Sequence, residues 1–447
     1  MGLILRDVEV AGRRVDVRIA DGVVASVGAC EYETGDEIVD GRGGVLLAGL
    51  HDEHVHVLAL AAARASVDVS PAAVGDATGF ERALRDAASR GPVRAVGFYE
   101  RVFGDFDRDV LDALVSDTPV QIQHRTGELW VLNTRALKEQ GAERVIDPHF
   151  ERDANHRLTG RVWRGHDVLR TTAPIVPESI AKIGQELAAY GVTSITDATP
   201  TNDASTARLL SCLPQRVRVM GPLDLAIEPG PGIAVGEVKV LLDDDRLPGA
   251  DDLASLAYEA HVKDRAIAVH CVTLVQLRFA IEVFRRSGVR GDRIEHGSVA
   301  PADAIADMHD LGLRVTTQPA FVGARGDDYL ADVDKRDLAA LYPVASLLAA
   351  GVPTFGSSDA PFGPLDPWVA MRAAVERKTP SGQILGAPQR VDPATALALY
   401  NAGSSVVVGA PADLVLLSVP LDGALERLSA DDVVITIIAG NIVYDAR

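Results

Sequence analysis

From about residue 236 onward the chain repeats one pattern: a short apolar β-type run, then a segment whose apolar residues recur every three to four positions. GEVKVLL (236–242) precedes DDLASLAYEAHVKD, which sets Leu253, Leu256, Ala257 and Ala260 on one face. AIAVHC (266–271) precedes TLVQLRFAIEVFRRSG, with Leu274, Leu277, Ile281 and Phe284 on one face and Gly288 as a stop signal. DRIEHG (292–297) precedes PADAIADMHDLG, where Pro301 suits a first helical turn. LRVTTQP (313–319) leads through a loop to VASLLAAG, and VPTFGSSDA (352–360) leads to DPWVAMRAAVERK. Strand-helix alternation sustained over this length argues for a parallel (β/α)8 TIM barrel rather than an open α/β sheet, although periodicity by itself fits either.

Upstream, candidate strands at 51–57, 95–99, 119–124, 192–198, 216–221 and 237–242 outnumber the places a barrel has left. One or two therefore belong to an insertion, expected at about 100–180, where RTGELWVLNTRAL and RLTGRVWRGHDVLR are loop-rich. Both ends of the chain have strand and hairpin grammar. LILRDVEV, RRVDVRIA, VVASVG and EIVDGRGGVLL are punctuated by AG, DG and GRGG, and ADLVLLSV (412–419) and VVITIIAGNIVY (433–444) match them, with a turn at Gly440-Asn441. The expected organisation is a small β-sandwich domain from residues 1–47 and 395–447, and a barrel over 48–394.

With 447 residues and 47% hydrophobic content, the chain has material for one large core and a smaller one. Its formal charge of −19, spread rather than clustered, argues against nucleic acid as a partner. Cys30, Cys212 and Cys271 lie far apart without CxxC spacing, which fits a reducing, cytoplasmic setting. The N-terminus lacks the basic and apolar regions of a signal peptide, and no run reaches the roughly 18 apolar residues that span a bilayer, so no membrane is expected. The expected partner is a small-molecule substrate, and a homo-oligomer is compatible with the composition.

The chemistry is concentrated at strand ends. His54 and His56 in HDEHVH are two apart on a strand, so both imidazoles point the same way. His270 ends AIAVH, His296 ends RIEH and Asp359 ends TFGSSD, each just before a loop. Catalytic groups of a TIM barrel gather at the C-terminal strand ends, and neutral imidazoles with a carboxylate suit zinc, with manganese or iron as alternatives. His261 and His309 fall on helices and His149, His156 and His166 in the polar insertion, so they read as surface residues.

On these residues, and on VLLAGLHDEHVHV, GELWVLNTRAL, GVTSITDATP, AVHC, RIEHGSV, FGSSDAPFGPLDPW and GAPADLVLL, the chain resembles the amidohydrolase superfamily and, within it, the YtcJ-like branch of metal-dependent hydrolases. The resemblance implies one or two divalent ions held by His54, His56, His270, His296 and Asp359, with Lys239 as a carboxylated bridging ligand. It further implies cleavage of an amide, cyclic amide or N-acyl C–N bond by metal-activated water. Asp359 would serve as proton acceptor and donor, and His296 would ligate and touch the carbonyl oxygen.

Two departures bar borrowing a substrate: Gly127-Glu128 replaces the branch's usual Gly-His step, and LLDDDRLPG follows Lys239 in place of an Ala/Asp/Gly/Ser-rich segment. Trp130, Asn133, Arg161 and Trp163 are the candidate substrate-binding residues. A deaminase normally carries His-x-x-Glu at the fifth strand, whereas Thr273 stands at that position here. Ester or lactone hydrolysis on the same scaffold and a non-catalytic binding role stay open beside C–N cleavage. Glu295 and Asp52 adjoin ligands, but strand alternation points them away from the site.

Overall fold

The computed structural model describes residues 2–30, 33–144, 147–165, 169, 176–228, 230, 232–401 and 405–447, the side chains of 101 and 102 excepted. They form two compact units, Met1–Val57 with Pro177–Arg447, and Leu58–Val176.

The first unit contains eight parallel strands hydrogen-bonded in chain order: Leu50–Val55, Val192–Asp197, Arg216–Gly221, Ile233–Val240, Ile267–Cys271, Arg293–His296, Arg314–Thr317 and Thr354–Gly356. Their outward residues make the main core. Val238, Ile267, Val269, Cys271, Ile294 and Val315 meet Leu253, Ala257, Leu277, Ile281, Phe284, Ile305 and Met308 of the surrounding helices. Burying each large aliphatic or Phe side chain there contributes about 1.5–3 kcal/mol, and that apolar stripe is what the 3.6-residue period upstream encodes. The seam between the last and first strands is closed by residues just past the final strand. Asp359 N–H donates to His54 O at 2.8 Å and His56 N–H to Ala360 O at 2.9 Å. The Asp52 carboxylate takes both Ser358 N–H and Ser358 Oγ–H. The eight-strand TIM barrel is thereby nearly closed.

The inward faces are polar where barrel interiors are usually filled by Val, Ile and Leu. Register places Lys239 beside Ala268 and Arg293, and His270 beside Glu295 and Thr316. The helices start where local chemistry allows: Leu274–Ser287 has a capping box of Thr273 with Gln276, and Pro301 is the N-cap of Ala302–Asp310, one position before the expected first turn. The stretch after the seventh strand, expected as loop, contains a helix, Ala320–Asp332. Its glycines hide it from propensity, and one is needed: a Cβ at Gly326 would lie 2.5 Å from Thr379 Cγ2.

The chain ends pair as two four-stranded sheets. One is ordered Val23–Gly28, Arg13–Ala20, Leu3–Val10, Glu37–Asp40, and the other Asn441–Asp445, Val433–Ile438, Leu414–Leu417, Leu46–Ala48. One apolar core joins them, containing Leu5, Val17 and Ile19 from one end and Leu414, Ile435 and Ile437 from the other. Ala11-Gly12 and Asp21-Gly22 both have positive φ, the geometry of tight hairpin turns. The C-terminal turn is Ala439-Gly440, one residue earlier than read from sequence. A helix, Pro393–Asn401, occupies the start of the segment expected to be β, and its Tyr400 hydroxyl donates to Ser357 O at 3.4 Å beside the last barrel strand.

The second unit begins at Leu58, well before the expected start near 100, because two candidate strands belong to it. Val93–Phe98 and Val120–His124 pair in its own six-stranded sheet, which removes the surplus from the barrel count. Its core is an aromatic cluster of Phe80, Phe98, Phe103 and Phe106. Among the described residues no helix is long and apolar enough to cross a membrane.

Candidate metal centre

Three breaks in strand regularity build the site. On the first strand, register runs from Asp52 opposite Ile195 to Val55 opposite Asp197, so three steps face two. This bulge lets consecutive residues reach interior groups, Glu53 to Arg293 and His54 to Glu295. His296 ends the sixth strand at φ 69°, and Asp359 follows the eighth at φ 52°. Left-handed backbone at a non-glycine residue costs on the order of 1 kcal/mol or more, and such strain concentrates at functional sites. At His296 it breaks the alternation with Glu295, so neighbouring side chains both serve the centre.

The ligand atoms of His54, His56 and Asp359 lie within 4.8 Å of one another. Asp359 Oδ1 is 3.6 Å from His54 Nε2 and 3.4 Å from His56 Nε2, and its Oδ2 is 3.9 Å from His296 Nδ1. The His296 ring centroid is 4.9 Å from that of His54 and 4.6 Å from that of His270. Three histidines have one ring nitrogen already engaged. His54 Nδ1–H donates to Glu295, His296 Nδ1–H donates to Gln318 Oε1 at 2.9 Å, and Thr199 Oγ1 sits 3.0 Å from His56 Nδ1. Those two donations leave Nε2 of His54 and His296 with the lone pair, the arrangement expected around metal-binding imidazoles. Gln318 is itself held by donating to Ser357 Oγ at 2.8 Å, and Asp197 fixes the His56 turn by accepting from Val57 N–H at 2.9 Å.

Electrostatics agree with that use. Burial, with the charge of Lys239 adding to it, pushes His54 far below the usual imidazole range; burial and His296 do the same for His270, and burial lowers His296. They are neutral donors at physiological pH. Burial pulls the Asp359 carboxyl upward, but the opposing effects, led by the hydrogen bond from His56, prevail and hold the group below the usual carboxylate range. Lys239 Nζ, on the fourth strand, is buried without a hydrogen-bond partner among the described residues, and desolvation lowers its pKa against the pull of Glu295 and Asp359. Neutral imidazoles, one carboxylate and a buried amine fit a divalent ion of the zinc type.

The barrel thus brings together His54, His56, Lys239, His270, His296 and Asp359. The alternation argument misjudged Glu295, which bonds the His54 side chain, and it did not apply to Asp52, which stands two residues before His54; Asp52 accepts from His54 N–H at 3.2 Å and ties the seam. Gln318 and Thr199 were missed, since an amide and a hydroxyl at strand ends carry no signal of their own. The four candidate substrate residues have partners inside the second unit. Trp130 is buried under the Arg94 guanidinium, 5.0 Å from its ring. Asn133 is fully buried, caps helix Thr134–Gln140 and donates to Val115 O and Thr118 O at 2.8 Å each. Arg161 donates to Phe106 O at 3.0 Å and pairs with Asp105, and exposed Trp163 donates to Glu151 at 3.0 Å. Asn133 is a fold residue on this geometry. His261 is half-buried against Asp292 at 3.0 Å rather than free on the surface. His149 pairs with Asp147 at 2.6 Å, His156 and His309 are exposed, and His166 lies outside the described residues.

Comparison with known proteins agrees with the geometry. The sequence profile of the amidohydrolase family matches residues 37–444. The putative amidohydrolase YtcJ of Bacillus subtilis is 23% identical, the match covering 99% of this chain and 98% of that protein. N-substituted formamide deformylase of Arthrobacter pascens is 28% identical over 34% of this chain and 31% of its own length. Among solved structures, an uncharacterized metal-dependent hydrolase from Pyrococcus horikoshii aligns with a TM-score of 0.75 at 20% identity, covering 94% of this chain and 97% of that one. N-isopropylammelide isopropylaminohydrolase from Burkholderia multivorans aligns with a TM-score of 0.56 at 17% identity, covering 100% and 98%. A family match over nearly the whole chain shows that this chain belongs to the amidohydrolase family.

Proposed function

We propose that the protein is a metal-dependent hydrolase that cleaves a C–N bond of a small molecule, of amide, cyclic amide or N-acyl type. The observation that carries the reading is the convergence of His54, His56 and Asp359, with the first two rings turned so that Nε2 faces the carboxylate. His54, His56, His270, His296, Lys239 and Asp359 would hold one or two ions, zinc first, manganese or iron as alternatives. When bound, such an ion supplies Lewis-acid polarisation of the scissile carbonyl and a water acidic enough to deprotonate near neutral pH. Asp359 takes the proton that water releases as the new C–O bond forms, and returns it to the nitrogen as the C–N bond breaks. His296, anchored by Gln318, keeps its ring beside the same carboxylate. The unpartnered amine of Lys239 favours carboxylation: nitrogen attacks CO₂, loses a proton and becomes an anion able to bridge two cations. The names of the deformylase and the isopropylaminohydrolase, both of which act at C–N bonds, support the bond type.

The test is elemental analysis of purified protein, followed by a screen of N-acyl amino acids, N-substituted formamides, cyclic amides and ureas. Each is run before and after chelation and zinc, manganese or iron reconstitution. One to two equivalents of metal and a metal-dependent release of amine are expected. No bound transition metal and no gain on reconstitution would overturn the assignment.

A further inference from the structure

Beneath the ligand layer lies a set of buried charges that the proposed reaction does not use. Arg293, 1% exposed, spends all three guanidinium nitrogens inside the barrel. Nε donates to Glu295 Oε1 at 2.8 Å, Nη1 to Glu53 Oε2 at 2.9 Å and Glu237 Oε1 at 3.3 Å, and Nη2 to Thr316 Oγ1 at 2.7 Å and Glu53 O at 3.0 Å. Glu295, fully buried, gives its other oxygen to His54 Nδ1–H. Arg218 stands 3.4 Å from Glu237 and Arg314 3.8 Å from Glu53 at the edge of the set.

Filling this volume with apolar side chains is the ordinary solution for a barrel, and burying a charged cluster is seldom better for stability. What the cluster provides that Val or Leu cannot is a rigid anionic acceptor under one imidazole. A guanidinium fork whose Nη arms are held by Glu53, Glu237 and Thr316 fixes one Glu295 oxygen through its Nε–H, so the other has a single direction left, and His54 Nδ1 occupies it. A histidine held in that way carries its proton on Nδ1 and offers Nε2 outward.

We infer that Glu295 and Arg293 are positioning residues for the ligand His54. Glu295 sets the ring's tautomer and angle, Arg293 aims Glu295, and Glu53 and Glu237 anchor Arg293 from the first and fourth strands. The inference rests on the metal-dependent reading above, and extends it by assigning the barrel core a part in metal affinity.

The test measures dissociation constants for zinc and cobalt(II) by chelator competition, with the visible absorption of the cobalt form, in the parent, Glu295→Gln, Arg293→Lys and, as a control outside the cluster, Arg377→Met. Glu295→Gln removes the charge and offers an amide N–H that can reverse the His54 tautomer. Affinity is expected to fall about 10–100-fold, with a changed cobalt spectrum. Arg293→Lys keeps the cation the carboxylates need but loses the fork, and a several-fold loss is expected; it decides the matter if Glu295→Gln does not fold. Arg377→Met loses an equally buried cation elsewhere in the unit and is expected to lower stability while leaving both constants unchanged. Parental affinity in the two cluster variants, or an equal loss in the control, overturns the positioning role. A parent that binds neither ion overturns the metal reading itself and this inference with it.

Discussion

Lys239→Met separates the fold's interest from the site's. In the metal-free protein the lysine amine is buried with no hydrogen-bond partner, and burial outweighs the attraction of Glu295 and Asp359 in setting its charge. A buried polar group left unpaired costs about 1–3 kcal/mol. Methionine has nearly the same reach and no such requirement, so the substitution is expected to raise metal-free stability by about 1–3 kcal/mol. For a chain of this size that is a rise of roughly 1–3 °C in Tm. The gain depends on pH in a fixed direction. The folded-state pKa of Lys239 lies below the unfolded value of about 10.4, so between the two the unfolded chain binds more protons and parental stability climbs with pH. Below the folded pKa the charge-linked part of the penalty is complete, and above about 10.4 it vanishes, leaving only the cost of the unpaired neutral amine. The advantage of Lys239→Met therefore shrinks as the pH rises from neutral into alkali. Calorimetric melts of chelator-treated parent and variant in CO₂-free buffer, at several pH values between 6 and 10.5, read it directly. The same variant is expected to bind less metal and lose activity. A metal-free Lys239→Met protein that melts below its parent, or whose advantage grows toward pH 10.5, would refute the reasoning.

Asp359→Asn keeps shape and a carbonyl oxygen but loses basicity; near-normal metal content and a roughly 10²-fold fall in kcat/KM, about 2.7 kcal/mol, are expected, and a near-parental rate removes Asp359 as the proton carrier. Arg377→Met orphans the carbonyls of Leu341, Tyr342 and Leu385, which the fully buried guanidinium bonds at 2.7–2.9 Å. At about 1–3 kcal/mol for each, urea unfolding should show a loss of roughly 3 kcal/mol or more, and a loss under 1 kcal/mol contradicts the accounting. Chelation should lower Tm reversibly, since an ion at 100 times its Kd adds about 2.7 kcal/mol; a Tm indifferent to chelation and to added zinc would count against a folded-state metal site.

The barrel was legible where one face of each element is apolar. The period-3.6 segments from Leu253 to Phe284 became the outer helices because their stripes cover the outward Val and Ile of the strands. The inserted unit's near edge was not legible, because Val93–Phe98 and Val120–His124 look like any buried parallel strand and nothing local says which sheet they join. The helix Ala320–Asp332 was hidden for the opposite reason: its sequence carries two glycines, and tertiary contact at Thr379 overrides their poor propensity.

At the site, residue types were readable and their orientations were not. Strand alternation assigns faces by counting in twos, and it is correct for Lys239 and His270, which sit in regular register. It fails at Glu295, because the rule presumes that the next residue continues the strand, whereas His296 turns into left-handed backbone. It fails again at Glu53, next to His54, because a bulge adds a residue that no single-strand pattern displays. Both failures fall where backbone regularity is given up to crowd ligands and their supporting acceptors onto one ring of atoms. A regular eight-stranded barrel presents only every second residue to its axis. Consecutive residues such as Glu53-His54 and Glu295-His296 can face the centre together only through such irregularities, so the positions at which alternation misleads are those at which the candidate metal centre is built.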